Sequence, residues 1–116
     1  MASPHILTVF GTRPEAVKMA HVLQALATSD VVSTVCCTGQ HDTLVQQAMR
    51  SFGITPDIGL QAMRAGQSLA QLTARLYQEL DTVLIETRPD MVLVHGDTTS
   101  AMVATTCAFY LSLIHI

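Results

Sequence analysis

The stretch ILTVFGTRPEAVKM, residues 6–19, decides the fold of this chain. Its first five residues are apolar or β-branched and predict a buried strand, which Gly11 interrupts. Thr12 and Glu15 then have the spacing of a capping box, and Pro14 suits the first turn of a helix. The stretch therefore predicts a strand that is followed directly by a helix.

Two cations lie near the start of this predicted helix. Arg13 and Lys18 are close to the positive end of the helix macrodipole, where cations are disfavoured. Cations that accompany the backbone N–H groups of a helix N-terminus form an anion site, most simply a site for phosphate. The alternative is a capped helix in which Glu15 pairs locally with Lys18. The motif alone leaves both interpretations open.

Composition narrows the class of protein. At 116 residues the chain is one domain or part of one. Its hydrophobic content of 49% and charged content of 13% indicate a sheet that is buried on both faces, or a surface that something else covers. The net charge of -3, without a basic patch or an aromatic platform, argues against a nucleic-acid partner.

Cysteine usage and hydropathy bear on the cellular compartment. Cys36, Cys37 and Cys107 have neither zinc-ligand nor CxxC redox spacing, and they predict buried thiols in a reducing cytoplasm. Residues 101–116 are apolar but shorter than the ~20 residues that a membrane span needs. We therefore expect a buried helix in a cytoplasmic protein, with no membrane partner.

Strand-like and helix-like patterns alternate along the whole chain. Helical periodicity, with a second capping-box spacing at Ser68 and Gln71, separates four strand-like runs at residues 6–10, 31–37, 57–60 and 91–95. This alternation predicts an α/β protein with a Rossmann-like, doubly wound parallel sheet. The commonest strand order for that fold is 3-2-1-4.

This order makes strands 1 and 4 neighbours at the topological switch point, where ligands bind beyond the carboxyl ends of the strands. We therefore expect the loops Gly11–Glu15 and Gly96–Thr99 to share one crevice. In that crevice Asp97 could act as an acid or base on a sugar. It could also be a helix N-cap, a role for which Asp97 and Thr98 are both candidates. His95 is expected at the end of strand 4.

The sequence lacks the common motifs for nucleotide cofactors and for metal ions. It contains neither the GxGxxG fingerprint of dinucleotide-binding folds nor the GxxxxGK[ST] phosphate loop. His5, His21 and His115 are not spaced with carboxylates as metal ligands would be. We therefore expect no metal and no organic cofactor.

Several of these segments together resemble a known family. They are FGTRPEAVKM at residues 10–19, TGQH at 38–41, GQSL at 66–69 and PDMVLVHGDTT at 89–99. Their sequence and order, over about residues 5–110, resemble the non-hydrolysing UDP-N-acetylglucosamine 2-epimerases. The resemblance implies a two-domain GT-B fold with the active site between the domains. Residues 1–116 would be part of the N-terminal Rossmann-like domain, and the second domain is absent from this sequence.

The resemblance also implies a reaction and the residues that carry it. The family interconverts UDP-GlcNAc and UDP-ManNAc by elimination and re-addition of UDP, without a cofactor or metal. By position, Arg13 and Lys18 match the catalytic and substrate-binding cations of its first motif, and Asp97 matches its catalytic aspartate. Members are usually homodimers when intact.

Bacterial members of the family also bind a regulatory UDP-GlcNAc. Gln40 and Gln67 match positions that contact this effector. Thr43 stands where many members have a further effector-contacting glutamine, and Gly66 stands where some have an arginine.

The end of the sequence departs from the family pattern after Tyr110, and we expect a truncated or frame-shifted form of a longer protein. We expect this 116-residue piece to be inactive alone. The alternatives are a hydrolysing epimerase relative, a GT-B glycosyltransferase and an inactive nucleotide-sugar-binding fragment.

Overall fold

A computed structural model describes residues 3–111 of the chain. In this part of the chain four strands and four helices alternate strictly, as the sequence predicts. The elements are β1 (His5–Phe10), α1 (Arg13–Ala27), β2 (Val32–Cys37), α2 (Thr43–Ser51), β3 (Ile58–Gly59), α3 (Leu69–Thr87), β4 (Met91–Leu93) and α4 (Thr99–Tyr110).

The strands form one parallel sheet in the order β3-β2-β1-β4, which confirms the predicted order. β1 pairs with β2 along its whole length, from His5 to Phe10. On its other side it pairs with β4 only as far as the Thr8–Leu93 pair. The expectation that β4 reaches His95 is wrong, because pairing with β1 stops at Leu93 and the chain then turns at Gly96, which has a φ of 83°.

The sheet is buried on both faces, which accounts for the high apolar content. Successive side chains of a strand point to opposite faces, so Leu7 and Val9 pack on one side and Phe10 packs on the other. The first side is covered mainly by α3 and α4, and the second by α1 and α2. The strands that carry the loops of the carboxyl edge are therefore fixed between two layers of helices.

The helix starts are stabilised in two different ways. Asp42, Ser68 and Thr98 each accept a backbone N–H bond from the first turn of the helix that follows. At Ser68 the reciprocal bond from Gln71 is present as well, so the predicted capping box is confirmed there. α1 has no such cap.

The predicted capping box at Thr12 and Glu15 is wrong. Thr12 makes no side-chain cap; instead it donates its O–H to Glu15 Oε1 at 2.9 Å. The same oxygen accepts the Gly11 N–H at 3.3 Å. Because Glu15 is only 2% exposed, its carboxylate lies beneath the Gly11 turn instead of reaching the Thr12 N–H.

Two adjacent buried thiols give the fold a testable pH dependence. Burial, as the largest cause, raises the pKa of Cys36 to about 12 and that of Cys37 to about 11. A raised folded-state pKa contributes stability in full below the unfolded thiol pKa of about 8.5, and this stability is lost as pH rises toward the folded values.

We therefore expect the free energy of unfolding, measured with urea, to fall between about pH 9 and pH 11. A Cys36→Ala, Cys37→Ala variant should lose less stability over the same pH range, because it has neither thiol. Any loss that it still shows measures the other groups that titrate there. Both thiols should also resist a disulfide reagent at pH 8 until the protein unfolds. Rapid labelling of either thiol in the native protein would contradict their burial.

Candidate functional site

Three loops meet at the carboxyl edge of the sheet, and a buried hydrogen bond joins two of them. The Thr38 hydroxyl, just after β2, lies 2.8 Å from the Ser100 hydroxyl in the first turn of α4. The Thr38 N–H also donates to the Phe10 carbonyl at 2.8 Å, at the end of β1. The loops after β1, β2 and β4 are therefore held together.

Gly11 lies inside this junction. A Cβ atom there would overlap the Thr38 hydroxyl and lie 3.0 Å from Ser100 Oγ. A Cβ atom at Gly39 would in turn overlap the Gly11 carbonyl oxygen. Such close backbone approach is possible only for glycine. The loop that carries Arg13 is thus fixed against the loops after β2 and β4.

The start of α1 has the features of an anion site. It has no side-chain cap, and because Pro14 has no N–H and the Ala16 N–H donates to the Thr12 carbonyl, the first-turn N–H groups without a partner among the described residues are those of Arg13 and Glu15. Arg13 and Lys18 are both exposed. Five residues apart, they lie about 140° apart around the helix and about 7.5 Å apart along it. The two cations are therefore on different sides of the helix and could approach a ligand from two directions.

The local pairing of Glu15 with Lys18 is not formed. Glu15 Oε1 accepts bonds from Gly11 and Thr12, and Oε2 has no hydrogen-bond partner in the described part of the chain. Lys18 is thus left exposed to solvent.

Asp97 is exposed on the loop after β4, the strand that neighbours β1. Of the two candidates for the N-cap of α4, Thr98 takes the role, since its hydroxyl accepts the Ala101 N–H at 3.1 Å. Asp97 lines a depression of about 250 Å³ along α4, together with residues such as Met102. Arg13 and Lys18 do not line this depression. The structure therefore places Asp97 on the neighbouring loop without joining it to the cations in one closed cavity.

Gln40 and Gln67 lie at different places on the same edge. The Gln40 side chain packs over Gly59, where a Cβ atom would overlap its amide. Gln67 folds back, and its Oε1 accepts the Arg64 N–H at 3.1 Å. Gln67 lines a depression of about 370 Å³. A second depression of about 340 Å³ includes His41 but not Gln40.

Sequence reasoning missed three residues of this edge. Glu15 was expected to cap a helix, and its inward orientation has no sequence signal. Thr38 and Ser100 are 62 residues apart, and only the tertiary fold shows that they touch.

Within residues 3–111 no group of three His, Cys, Asp or Glu side chains is arranged to hold a metal ion. His115, and the residues 112–116 on which the expectation of an altered reading frame partly rests, lie outside the described residues. No described helix combines the length and apolar character that crossing a membrane requires.

Comparison with known proteins decides the family. The UDP-N-acetylglucosamine 2-epimerase family matches residues 24–116. The chain belongs to this family. The resemblance seen in the sequence motifs is thus confirmed.

Individual proteins similar to this chain carry the name of the same family. A UDP-N-acetylglucosamine 2-epimerase of Yersinia pestis is 50% identical over 106 residues, which are 90% of this chain and 28% of that protein. An enzyme of the same name from Escherichia coli (strain K12) is 46% identical over the same shares. The chain thus spans little more than a quarter of the length of these relatives.

The fold is shared as well. The crystal structure of a Neisseria meningitidis UDP-GlcNAc 2-epimerase bound to UDP-GlcNAc matches with a TM-score of 0.89 and 44% identity. The match covers 94% of this chain and 30% of that one. A further UDP-N-acetylglucosamine 2-epimerase structure matches with a TM-score of 0.90 and 39% identity. The described residues therefore form an α/β unit like the N-terminal part of these GT-B-like epimerases.

The capping assignment yields a direct test of Asp97. Thr98→Ala should lower the free energy of unfolding by about 1 kcal/mol, because it removes the cap of α4. Asp97→Ala should change it by less than about 0.5 kcal/mol, as expected of an exposed residue without a capping role. Urea unfolding of the two variants checks this. An equal loss of stability in Asp97→Ala would show that Asp97 serves the helix.

Proposed function

We propose that this chain is the N-terminal part of a UDP-N-acetylglucosamine 2-epimerase that interconverts UDP-GlcNAc and UDP-ManNAc. Residues 1–116 would form part of the first domain of a two-domain GT-B enzyme, and the second domain would complete the active site. The observation that carries the proposal is the position of the two motif loops, which follow the neighbouring strands β1 and β4. Membership of the epimerase family supplies the substrate class.

The reaction makes a demand that the start of α1 can meet. A base removes the proton from C2, the C2–H electron pair forms the C1=C2 double bond, and UDP leaves with the C1–O pair. The product of this step is 2-acetamidoglucal. UDP then adds back to C1 while C2 receives a proton on the opposite face. Negative charge grows on the diphosphate as it leaves, so donors that already point at it lower the barrier.

Arg13, Lys18 and the uncapped first-turn amides are those donors. Charge-assisted hydrogen bonds from guanidinium and ammonium groups are stronger than neutral ones, and the helix N-terminus adds a favourable dipole. We assign Arg13 and Lys18 to substrate binding and to catalysis by charge stabilisation.

Asp97 is the catalytic carboxylate of this proposal, in acid–base work or in orienting the groups that perform it. Its exposure and the use of Thr98 as the cap leave it available for that role. Gln40 and Gln67 are assigned to a regulatory UDP-GlcNAc. The depressions beside them share Arg64 and Ala65 and are therefore adjacent.

The intact enzyme would act as a homodimer in the cytoplasm, an environment that suits the three free, buried thiols of this chain. The 116-residue chain alone would be inactive, since the groups of the second domain are needed for both proton transfer and uridine binding.

The test is turnover of the intact protein that contains this sequence, with UDP-GlcNAc as substrate in D₂O. We expect UDP-ManNAc with deuterium at C2. Arg13→Gln and Lys18→Gln should each lower kcat by about 10²-fold or more, which is typical for the loss of one charge-stabilising donor. Arg50→Gln, the same substitution at an exposed residue in the last turn of α2, is the matched control and should leave kcat unchanged.

The other outcomes separate the alternatives. Free ManNAc with UDP would indicate a hydrolysing relative, and transfer of the sugar to an acceptor would indicate a glycosyltransferase. Turnover by the 116-residue chain alone would refute its predicted inactivity.

A further inference from the structure

Glu15 is nearly fully buried but uses only one of its two carboxylate oxygens. It is 2% exposed, and Oε1 accepts both the Gly11 N–H at 3.3 Å and the Thr12 O–H at 2.9 Å. Oε2 is buried without a hydrogen-bond partner in the described residues. The carboxylate is also close enough to Cys37, the last residue of β2, to contribute to the raised pKa of that thiol. Glu15 therefore lies below the turn, on the side away from solvent.

This arrangement restrains the turn more than it caps the helix. A capping-box glutamate would accept the N–H of the N-cap residue. Glu15 instead binds the N–H one residue earlier and the Thr12 hydroxyl, so a single charged oxygen holds the two residues that precede Arg13. The shorter of the two bonds, from the Thr12 O–H at 2.9 Å, is made to a charged acceptor, and such bonds are stronger than those to a neutral acceptor. The first-turn amides are meanwhile left unused by any side-chain cap.

We propose that Glu15 is a positioning residue of the anion site: it fixes Gly11 and Thr12 so that Arg13 and the open first-turn amides face the diphosphate of the ligand. The inference rests on the proposed function. Glu15 itself is covered by the turn and is only 2% exposed, so it acts through Arg13 and the backbone. Misplacement of a binding group by about 1 Å can cost a rate factor of about 10², so precise placement of this turn matters.

The test measures UDP binding to the intact, ¹⁵N-labelled protein that contains this sequence, from amide chemical shifts. In the wild type we expect the amides of residues 11–13 to shift on titration with UDP. Glu15→Ala should raise the Kd at least tenfold, and Glu15→Gln should recover most of the affinity, since its Oε1 can accept both bonds. Glu86→Ala removes the same charge from an exposed position on α3 and is the matched control.

A second pair of variants covers the case in which Glu15→Ala fails to fold. Thr12→Val removes only the hydroxyl that donates to Glu15, and it should weaken UDP binding several-fold. Thr12→Ser keeps a hydroxyl and should bind more tightly than Thr12→Val. Equal affinities for these two variants would contradict the inference.

Coupling to Arg13 separates positioning from a general loss of structure. Because Glu15 acts in part through Arg13, the Glu15→Ala, Arg13→Gln double variant should bind UDP more tightly than the two single effects multiplied together would give. Three results would each overturn the inference. They are single effects on the Kd that simply multiply in the double variant, a wild-type Kd in Glu15→Ala, and binding by Glu15→Gln that is tighter than that of the wild type. The last result would show that the buried charge only repels the ligand. Wild-type amides at residues 11–13 that do not respond to UDP would refute the proposed function itself.

Discussion

The buried hydrogen bond between the Thr38 and Ser100 hydroxyls, 2.8 Å long, is the constraint on which the carboxyl edge depends. It ties the loop after β2 to the first turn of α4, and it leaves room at Gly11 for hydrogen but not for a side chain. The chain can therefore leave β1 and enter α1 in close contact with both neighbouring loops. Buried polar pairs of this kind are costly when half-satisfied and specific when complete, so the pair favours one relative placement of the three loops.

The proposed anion site has charged groups at two depths, at the surface and beneath the turn. Arg13, Lys18 and the open amides of α1 present positive potential to solvent. The Glu15 carboxylate lies beneath them, where the helix dipole favours an anion. The exposed cations are placed to attract a nucleotide diphosphate in the proposed function. The buried Glu15 carboxylate holds the turn that carries Arg13. Membership of the UDP-N-acetylglucosamine 2-epimerase family is consistent with this division of labour.

Most of the fold followed from sequence because its rules are local or topological. Strand–helix alternation with right-handed crossovers leaves few arrangements, and the predicted order is the observed one. The cap at Ser68 was predictable because both of its partners lie within one turn. The Thr12–Glu15 spacing gave the same signal, but burial beneath Gly11 redirected the carboxylate. The Thr38–Ser100 contact and the packing of Gln40 over Gly59 depend on distant segments, so no local pattern reveals them.

The central claim is that the loops after β1 and β4 bind one nucleotide sugar together. Amide hydrogen exchange of the intact protein that contains this sequence, with and without UDP-GlcNAc, tests it most directly. We expect added protection in both residues 11–15 and residues 96–99, with the same dependence on ligand concentration. Residues 50–54, at the opposite edge of the sheet, should not change. Protection confined to one of the two loops, or at neither, would contradict a shared site.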